Sequence, residues 1–164
     1  MTDEDAQLVA AALHAELLRR SAMLATAESL TGGELGMLLS AAPGASDTYL
    51  GGVISYATSV KRDLLGVPQR TVDEHGVVSA ECAAEMAAGA RSLLGADYAV
   101  STTGVAGPAD QEGKPVGLVY LGVAGPYGVT TKELRLDGDR AQVRTRSCLE
   151  AMSAAMAMIV GVGR

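Results

Sequence analysis

The apolar positions of the chain recur with two alternating spacings, which predict helices and strands in turn. Over residues 3–20 the three-to-four-residue spacing of an amphipathic helix is occupied by Leu8, Ala12, Leu13 and Leu17. A short apolar run over 23–27 predicts a buried strand. The hydroxyl- and glycine-rich segment 29–33 then predicts a turn, and 34–41 predicts a helix that ends before Pro43-Gly44.

The rest of the chain continues this alternation. Strands are predicted over 49–57, 98–103, 116–124 and 129–136. Helices are predicted over 58–65, 79–94 and 139–160. The last two strands flank Gly125-Pro126-Tyr127-Gly128, which is a hairpin signal. Strands that alternate with helices, together with one hairpin, predict a single domain over 1–164 with the fold of a three-layer α/β/α sandwich and a mixed β-sheet.

Composition narrows the class of protein. Apolar residues make up 48% of the chain but aromatics only 3%, so the core must be built from aliphatic side chains and methionine. The net charge of −6 disfavours nucleic-acid binding, which depends on neutralising phosphates. The two cysteines, Cys82 and Cys148, are far apart and form no metal or redox motif. No signal peptide and no apolar run of about 18 residues is present, so we expect a soluble, cytoplasmic protein without a membrane partner.

The turn that contains Ser29 is the first candidate for chemistry. It lies at a predicted strand-to-helix junction, where backbone N–H groups at the start of a helix can hold an anion or an oxyanion. The carboxyl ends of strands are also where open α/β sheets bind their ligands. The structural alternative is a serine that caps a helix in a tight turn.

Lys61 is the second candidate, because it follows a strand by a few residues near the same edge. Lys114 and Lys132 sit in a loop and a hairpin strand, where surface positions are expected. His14 and His75 are also interpreted as surface residues, so a Ser–His–Asp triad is disfavoured. If Ser29 is a nucleophile, Lys61 is its natural activator; the alternative is a solvated lysine.

Two further segments carry polar groups towards a ligand. Thr103 and Gly104 belong to a glycine-rich loop after a strand, which lacks the Gly-Lys-Ser/Thr of a P-loop. Arg140 and Arg144 lie one turn apart at the start of the last helix, and so share a face. They could grip a phosphate or form a solvated basic patch.

Taken together, these segments resemble the C-terminal domain of CinA and its stand-alone form, nicotinamide-nucleotide amidase. The order and spacing of the matching motifs make the resemblance specific from about residue 20 onward. The motifs are Ala27-Glu28-Ser29 with Thr31-Gly32-Gly33, Pro43-Gly44-Ala45-Ser46, Gly51-Gly52-Val53-Ile54-Ser55-Tyr56, Lys61, Leu64-Leu65-Gly66-Val67, His75-Gly76-Val77-Val78-Ser79, Thr103-Gly104-Val105-Ala106-Gly107-Pro108, Lys114-Pro115-Val116-Gly117 and Gly138-Asp139-Arg140 with Val143-Arg144.

The resemblance implies a CinA-like fold and hydrolysis of nicotinamide mononucleotide (NMN) to nicotinic acid mononucleotide and ammonia, with no metal or organic cofactor. It implies Ser29 as nucleophile, Lys61 as base and Tyr56 as helper. The residues that it places against the substrate are Thr31, Gly32, Gly33, Ser46, Thr103, Gly104, Arg140 and Arg144. Thr58 stands where an asparagine is usual, and the loop 109–113 is short and poor in glycine.

Two alternatives to this function remain open. The same residues could hydrolyse a different amide, which the departures at Thr58 and in the loop would favour. The domain could instead be a nucleotide-binding or regulatory module without turnover, because fold and motif do not guarantee activity. A homodimer is compatible with the sequence, although the apolar stripes of the terminal helices fit a core equally well.

Overall fold

A computed structural model describes residues 3–161 of the chain, and its layered architecture confirms the predicted fold. In this range the α-helices are α1 (Asp3–Arg19), α2 (Glu34–Ala41), α3 (Thr58–Asp63), α4 (Gln69–His75), α5 (Ala80–Leu94) and α6 (Arg140–Gly161). The strands are β1 (Leu24–Glu28), β2 (Tyr49–Ile54), β3 (Tyr98–Gly104), β4 (Leu118–Gly125) and β5 (Gly128–Arg135), and a single 3-10 turn spans Ala45–Asp47.

The five strands form one mixed sheet in the order β2-β1-β3-β4-β5. The first three in this order run parallel, whereas β4 and β5 are an antiparallel hairpin added at one side. The carboxyl ends of β2, β1 and β3 therefore meet at one edge of the sheet. Ser29, Ser55 and Val105 come directly after these ends.

Helices cover both faces of the sheet and create two apolar layers. Helices α1, α2 and α6 cover one face, with Leu17, Leu35, Met152 and similar aliphatic residues between them and the sheet. Helix α5 covers the other face through Cys82, Met86 and Ala90. The layers are filled almost entirely by aliphatic and sulfur-containing side chains, as the composition predicts.

The prediction for α1 is correct in extent but wrong in its buried face. Leu8 is 66% exposed and Ala12 is also exposed, while Leu13 and Leu17 are buried as expected. The inward stripe is completed by Ala6 and Ala10. Apolar residues occur on all sides of this helix, so its spacing alone does not determine which side faces the sheet.

The surface assignment of His14 is wrong as well. Its ring is 5% exposed, and the two ring nitrogens contact Thr48 Oγ1 and the Leu39 carbonyl. His75 is exposed as predicted, but it ends a helix that the sequence pattern missed. That helix, α4, follows Pro68 and is too short and too polar to show an apolar stripe.

The contact of α5 with the segment after α3 has no room for a side chain. A Cβ atom added to Gly89 would lie 1.9 Å from the Leu65 carbonyl oxygen. The two backbones thus approach directly, and this approach brings the segment that contains Lys61 against the sheet layer.

We expect Gly89→Ala to destabilise the domain, although alanine is ordinarily favoured over glycine inside a helix by about 1 kcal/mol. The overlap with the Leu65 carbonyl forces a backbone shift, which typically costs about 1–3 kcal/mol. Urea unfolding monitored by circular dichroism measures the change. The matched control is Gly161→Ala in α6, where no described atom outside the helix's own nearby backbone lies within 4 Å of the added Cβ. Equal stability of both variants would contradict the close approach.

Candidate active site

Ser29 and Lys61 meet at the sheet edge where the parallel strands end. Lys61 Nζ lies 2.9 Å from Ser29 Oγ. Ser29 follows β1 directly and is half-buried, whereas Lys61 sits on α3 and is 1% exposed. Helix α3 follows β2, the neighbour of β1, which is why two residues that are 32 positions apart come into contact.

Burial shifts the Lys61 amine towards its neutral form, against a smaller opposing effect of the Glu112 carboxylate. Its other two contacts are the carbonyl oxygens of Ser55, at 2.6 Å, and Tyr56, at 3.3 Å, so all three acceptors are uncharged. Burial lowers the pKa of Lys61 below its ordinary value, since desolvation disfavours the charged amine. A neutral amine can donate its two N–H bonds to the carbonyls and direct its lone pair at the Ser29 hydroxyl.

A nearby thiol does not reverse this tendency. Cys82 on α5 is fully buried, and burial raises the pKa of its thiol to about 11. The thiol is therefore protonated near neutral pH and supplies no negative charge to stabilise an ammonium group on Lys61. The solvated-lysine interpretation of Lys61 does not fit this environment.

Glu28 occupies the start of α2, which is a feature that the sequence reasoning missed. Its side chain is 2% exposed and turns back over the helix that follows it. Oε2 accepts hydrogen bonds from the Gly33 and Leu35 amides at 2.9 and 3.1 Å, and Oε1 accepts one from the Gly36 amide at 2.8 Å. The expected anion site at this helix start is thus filled by the protein's own carboxylate.

Backbone amides of the turn that do not contact Glu28 are the other candidates for binding an oxyanion. The amides of Gly32 and Glu34 donate to the carbonyls of Ser29 and Thr31. Within residues 3–161, the amides of Leu30 and Thr31 have no protein acceptor. An amide directly after a nucleophile on a strand-to-helix turn is a common oxyanion donor.

A cavity of about 130 Å³ opens beside the Ser29–Lys61 pair. The predicted site residues that line it are Ser29, Tyr56, Lys61, Thr103, Gly104 and Arg140. The Thr103 hydroxyl itself donates to the Val77 carbonyl at 2.6 Å, so this residue lines the cavity with its hydroxyl already engaged. The two departures from the family pattern, Thr58 and the loop 109–113, also border the cavity.

Arg140 and Tyr56 form a bridge across the mouth of this cavity. The Arg140 guanidinium donates to the Tyr56 hydroxyl at 3.2 Å and to the Gly107 carbonyl at 2.7 Å. Both side chains are exposed. The Tyr56 backbone carbonyl contacts Lys61, but its hydroxyl points to Arg140.

Five other predicted contact residues do not line the cavity. The Thr31 hydroxyl is buried against Glu28 Oε2 and Thr102 Oγ1, and Gly32 and Gly33 shape the turn with φ angles of 56° and 99°. Arg144 donates to the Thr31 carbonyl and pairs with Glu34, so it braces the turn. Ser46 precedes β2 and lies roughly 20 Å away, at the opposite end of that strand.

The loop 109–113 is anchored to the backbone of the segment that precedes α5. The Glu112 carboxylate accepts hydrogen bonds from the Val77 and Val78 amides at 3.2 Å each. Lys114, expected at the surface, is half-buried and donates to the carbonyls of His75 and Val78. The anchored loop places Gln111 on the cavity wall, a position that no motif had marked.

Neither a membrane-spanning helix nor a cluster of metal-binding side chains occurs among residues 3–161. No helix among residues 3–161 has the length and the apolar content needed to cross a membrane. No group of three or more histidine, cysteine, aspartate or glutamate side chains in the same range is arranged to hold a metal ion.

Comparison with known proteins identifies the family. The family model of the CinA C-terminal domain matches residues 6–159. A CinA-like protein of Frankia casuarinae is 50% identical over 146 residues, which are 89% of this chain and 34% of that protein. A CinA-like protein of a Synechococcus species is 52% identical over 126 residues, which are 76% of this chain and 30% of that protein.

Solved structures of CinA-type proteins also resemble this chain closely. A CinA superfamily protein from Klebsiella pneumoniae superimposes with a TM-score of 0.92 at 32% identity, covering 95% of this chain and 98% of that one. Competence/damage inducible protein CihA from Agrobacterium tumefaciens superimposes with a TM-score of 0.89 at 35% identity, covering 93% and 94%. This chain belongs to the CinA C-terminal domain family, and it spans about a third of the length of the curated relatives that it matches.

We expect the stability difference between Lys61→Met and the parent to depend on pH. The folded pKa of Lys61 lies below the unfolded value of about 10.4, so between the two values the unfolded chain binds more protons. The parent's free energy of unfolding therefore gains a positive slope with pH in that window, which the methionine variant lacks. The stability of the variant minus that of the parent should fall as pH rises.

Urea unfolding of both proteins at about pH 6.5 and pH 9.5 measures this difference. Cys82, with its pKa raised to about 11, contributes a slope of opposite sign; burial, the largest cause of that shift, is common to both proteins, so most of this slope cancels. A difference that does not change with pH would show that Lys61 titrates alike in the folded and unfolded chains.

Proposed function

We propose that this domain is an amidohydrolase that uses Ser29 as nucleophile and Lys61 as base, and that its substrate is the carboxamide of NMN. The observation that carries the proposal is the 2.9 Å contact between the Ser29 hydroxyl and a buried lysine amine whose other partners are two carbonyls. A serine hydroxyl needs a neighbouring base to attack an amide, and this arrangement supplies one.

The reaction follows from this geometry. Lys61 takes the proton of Ser29 as Oγ forms a bond to the carboxamide carbon. The amide of Leu30, which lines the cavity, stabilises the oxyanion, a contribution of about 3 kcal/mol per donor in comparable sites. Lys61 then returns the proton to the leaving nitrogen, the C–N bond breaks, and ammonia departs. Water, activated by the same amine, hydrolyses the acyl-enzyme and releases the carboxylate product.

The volume of the cavity suits a substrate that inserts only one of its groups and leaves the rest outside. At about 130 Å³ it is smaller than the roughly 300–1,000 Å³ of pockets that bury a whole drug-sized ligand. An aromatic carboxamide ring would fill it beside Ser29, and the ribose phosphate would extend past the mouth towards Arg140. Arg140 is a better phosphate ligand than Arg144, because Arg140 lines the cavity and has only uncharged partners, whereas Arg144 lies outside it and pairs with the Glu34 carboxylate.

A second candidate is hydrolysis of another amide by the same residues. Thr58 and Gln111 border the cavity, and both belong to segments that depart from the family pattern. Polar side chains at these positions could select a different ring or a shorter amide. The Ser29–Lys61 geometry argues against the third alternative, a module without turnover, because burying a lysine amine against three uncharged acceptors costs stability that a binding module has no need to lose.

The first test is ammonia release from NMN by the purified domain. The parent should release ammonia and form nicotinic acid mononucleotide, while Ser29→Ala should reduce kcat by about three orders of magnitude or more. Lys61→Arg should fail nearly as badly as Lys61→Ala, since a guanidinium keeps its charge and does not act as a base. The parent's rate should rise with pH through an apparent pKa below about 10.4.

The controls in this assay separate the alternatives. Nicotinamide, its riboside and unrelated primary amides in the same assay distinguish an NMN amidase from an amidase of other specificity. Substantial turnover by Lys61→Arg would remove Lys61 as the base. No turnover of any amide by the folded parent would favour the binding-module alternative.

Arg140→Ala should weaken binding of NMN far more than binding of its riboside, which lacks the phosphate. A charge-assisted contact of this kind contributes about 1.5–3 kcal/mol. The control is Arg146→Ala on the same helix, because Arg146 donates to the Asp137 carbonyl and does not border the cavity. Titration calorimetry with Ser29→Ala as background measures binding without turnover. Similar losses for both ligands would mean that Arg140 does not contact the phosphate.

A further inference from the structure

The buried carboxylate of Glu28 has no part in the reaction described above, yet it lies next to the nucleophile in the chain. A carboxyl group that is 2% exposed is expensive unless it is fully hydrogen-bonded. Glu28 meets this requirement with four donors: the Thr31 hydroxyl at 2.7 Å and the amides of Gly33, Leu35 and Gly36. All four belong to the turn or to the helix that follow Ser29.

The backbone of Glu28 makes a second connection, to the base. The Glu28 carbonyl accepts hydrogen bonds from the Ser55 amide at 2.7 Å and from the Ser55 hydroxyl at 3.2 Å. The Ser55 carbonyl in turn accepts the shortest of the three hydrogen bonds of the Lys61 amine, at 2.6 Å. One residue therefore connects the nucleophile's turn, through its side chain, with the lysine, through its backbone.

We propose that Glu28 is a positioning residue: its carboxylate holds the turn after β1 in the conformation that directs Ser29 Oγ at Lys61 and leaves the Leu30 amide free beside the cavity. The turn requires positive φ angles at Gly32 and Gly33, which the sequence permits but does not enforce. The carboxylate stabilises them, because its Oε2 accepts hydrogen bonds from the Thr31 hydroxyl and the Gly33 amide at the same time in this conformation. A glutamine in its place keeps one accepting oxygen but presents an NH2 group to at least one of the backbone amides.

This inference rests on the proposed serine–lysine chemistry, but its test does not need the substrate. A fluorophosphonate probe reports the reactivity of the serine directly: Ser29 Oγ forms a bond to phosphorus, fluoride leaves, and the serine proton passes to Lys61. The second-order labelling rate is measured by mass spectrometry for the parent and for Glu28→Gln, with Ser29→Ala as the blank. Substrate kinetics on the same proteins separate kcat from KM.

We expect Glu28→Gln to label at least about tenfold more slowly and to lose kcat by a similar factor, with KM little changed. The pH midpoint of labelling should stay at the parent's value, because Lys61 remains the base and only the geometry of Ser29 is altered. Thr31→Val removes one of the four donors without changing the size of the side chain, and should give a smaller loss in the same direction. It also keeps the inference testable if Glu28→Gln does not fold.

The matched control is Asp97→Asn. The Asp97 carboxylate also accepts a hydrogen bond from a backbone amide, that of Met23 at 2.8 Å, just before the start of β1 and thus at the opposite end of this strand from Glu28. The Asp97→Asn variant should lower the melting temperature without slowing the labelling of Ser29. Slowing by both variants in proportion to lost stability would reduce Glu28 to a purely structural role and overturn the proposal.

The remaining outcomes are also decisive. Parent-like labelling and kcat in folded Glu28→Gln would overturn the positioning role and leave the proposed function intact. A labelling rate whose pH midpoint is shifted, or which no longer depends on pH, would show that Glu28 takes part in proton transfer, and this result also contradicts a positioning role. If the parent itself is not labelled at Ser29, the proposed nucleophile fails, and the positioning role fails with it.

Discussion

The burial of a single amine is the constraint on which the site depends. If Lys61 acts as the proposed base, water must be kept away from its amine, and the sheet and the α5 layer together keep it away. Strand β2 delivers α3 to the sheet edge, Cys82 of α5 packs nearby as an uncharged thiol, and the backbone contact at Gly89 holds the segment down. The proposed role of Lys61 as a base and the stability of the domain therefore make opposing demands on the same residue.

The parallel half of the sheet explains how distant segments of the chain share one site. Three consecutive strands in space, β2, β1 and β3, end at the same edge, and each is followed by a segment that borders the cavity. The helix start that would ordinarily attract an external anion is occupied internally by Glu28. Negative charge on a ligand is left to the other side of the cavity mouth, where Arg140 stands.

The layers, the sheet and the Ser29–Lys61 pair could be predicted from sequence because each has a local signal. Apolar runs between glycine-rich turns mark the strands, and the ends of parallel strands converge wherever the strands themselves are identified. The orientation of a side chain carries no such signal. Nothing local shows that Glu28 folds back over its own helix, that His14 meets Thr48 across 34 positions, or that Arg144 braces the turn rather than binding phosphate. Helix α1 is apolar on all sides, so its inward face depends on its partners.

The turn of the β4–β5 hairpin is the part of the sheet that lies farthest from the Ser29–Lys61 cavity. Strand β4 runs antiparallel to β3, so its turn at Pro126 and Tyr127 lies at the far end of the sheet, roughly 25 Å of strand away from the cavity edge. Tyr127 is 85% exposed there, and the chain contains no tryptophan. A tryptophan in its place would be the sole indole fluorophore of the molecule, and the turn would serve equally as an attachment point for a dye or an immobilising linker that leaves the substrate's path open.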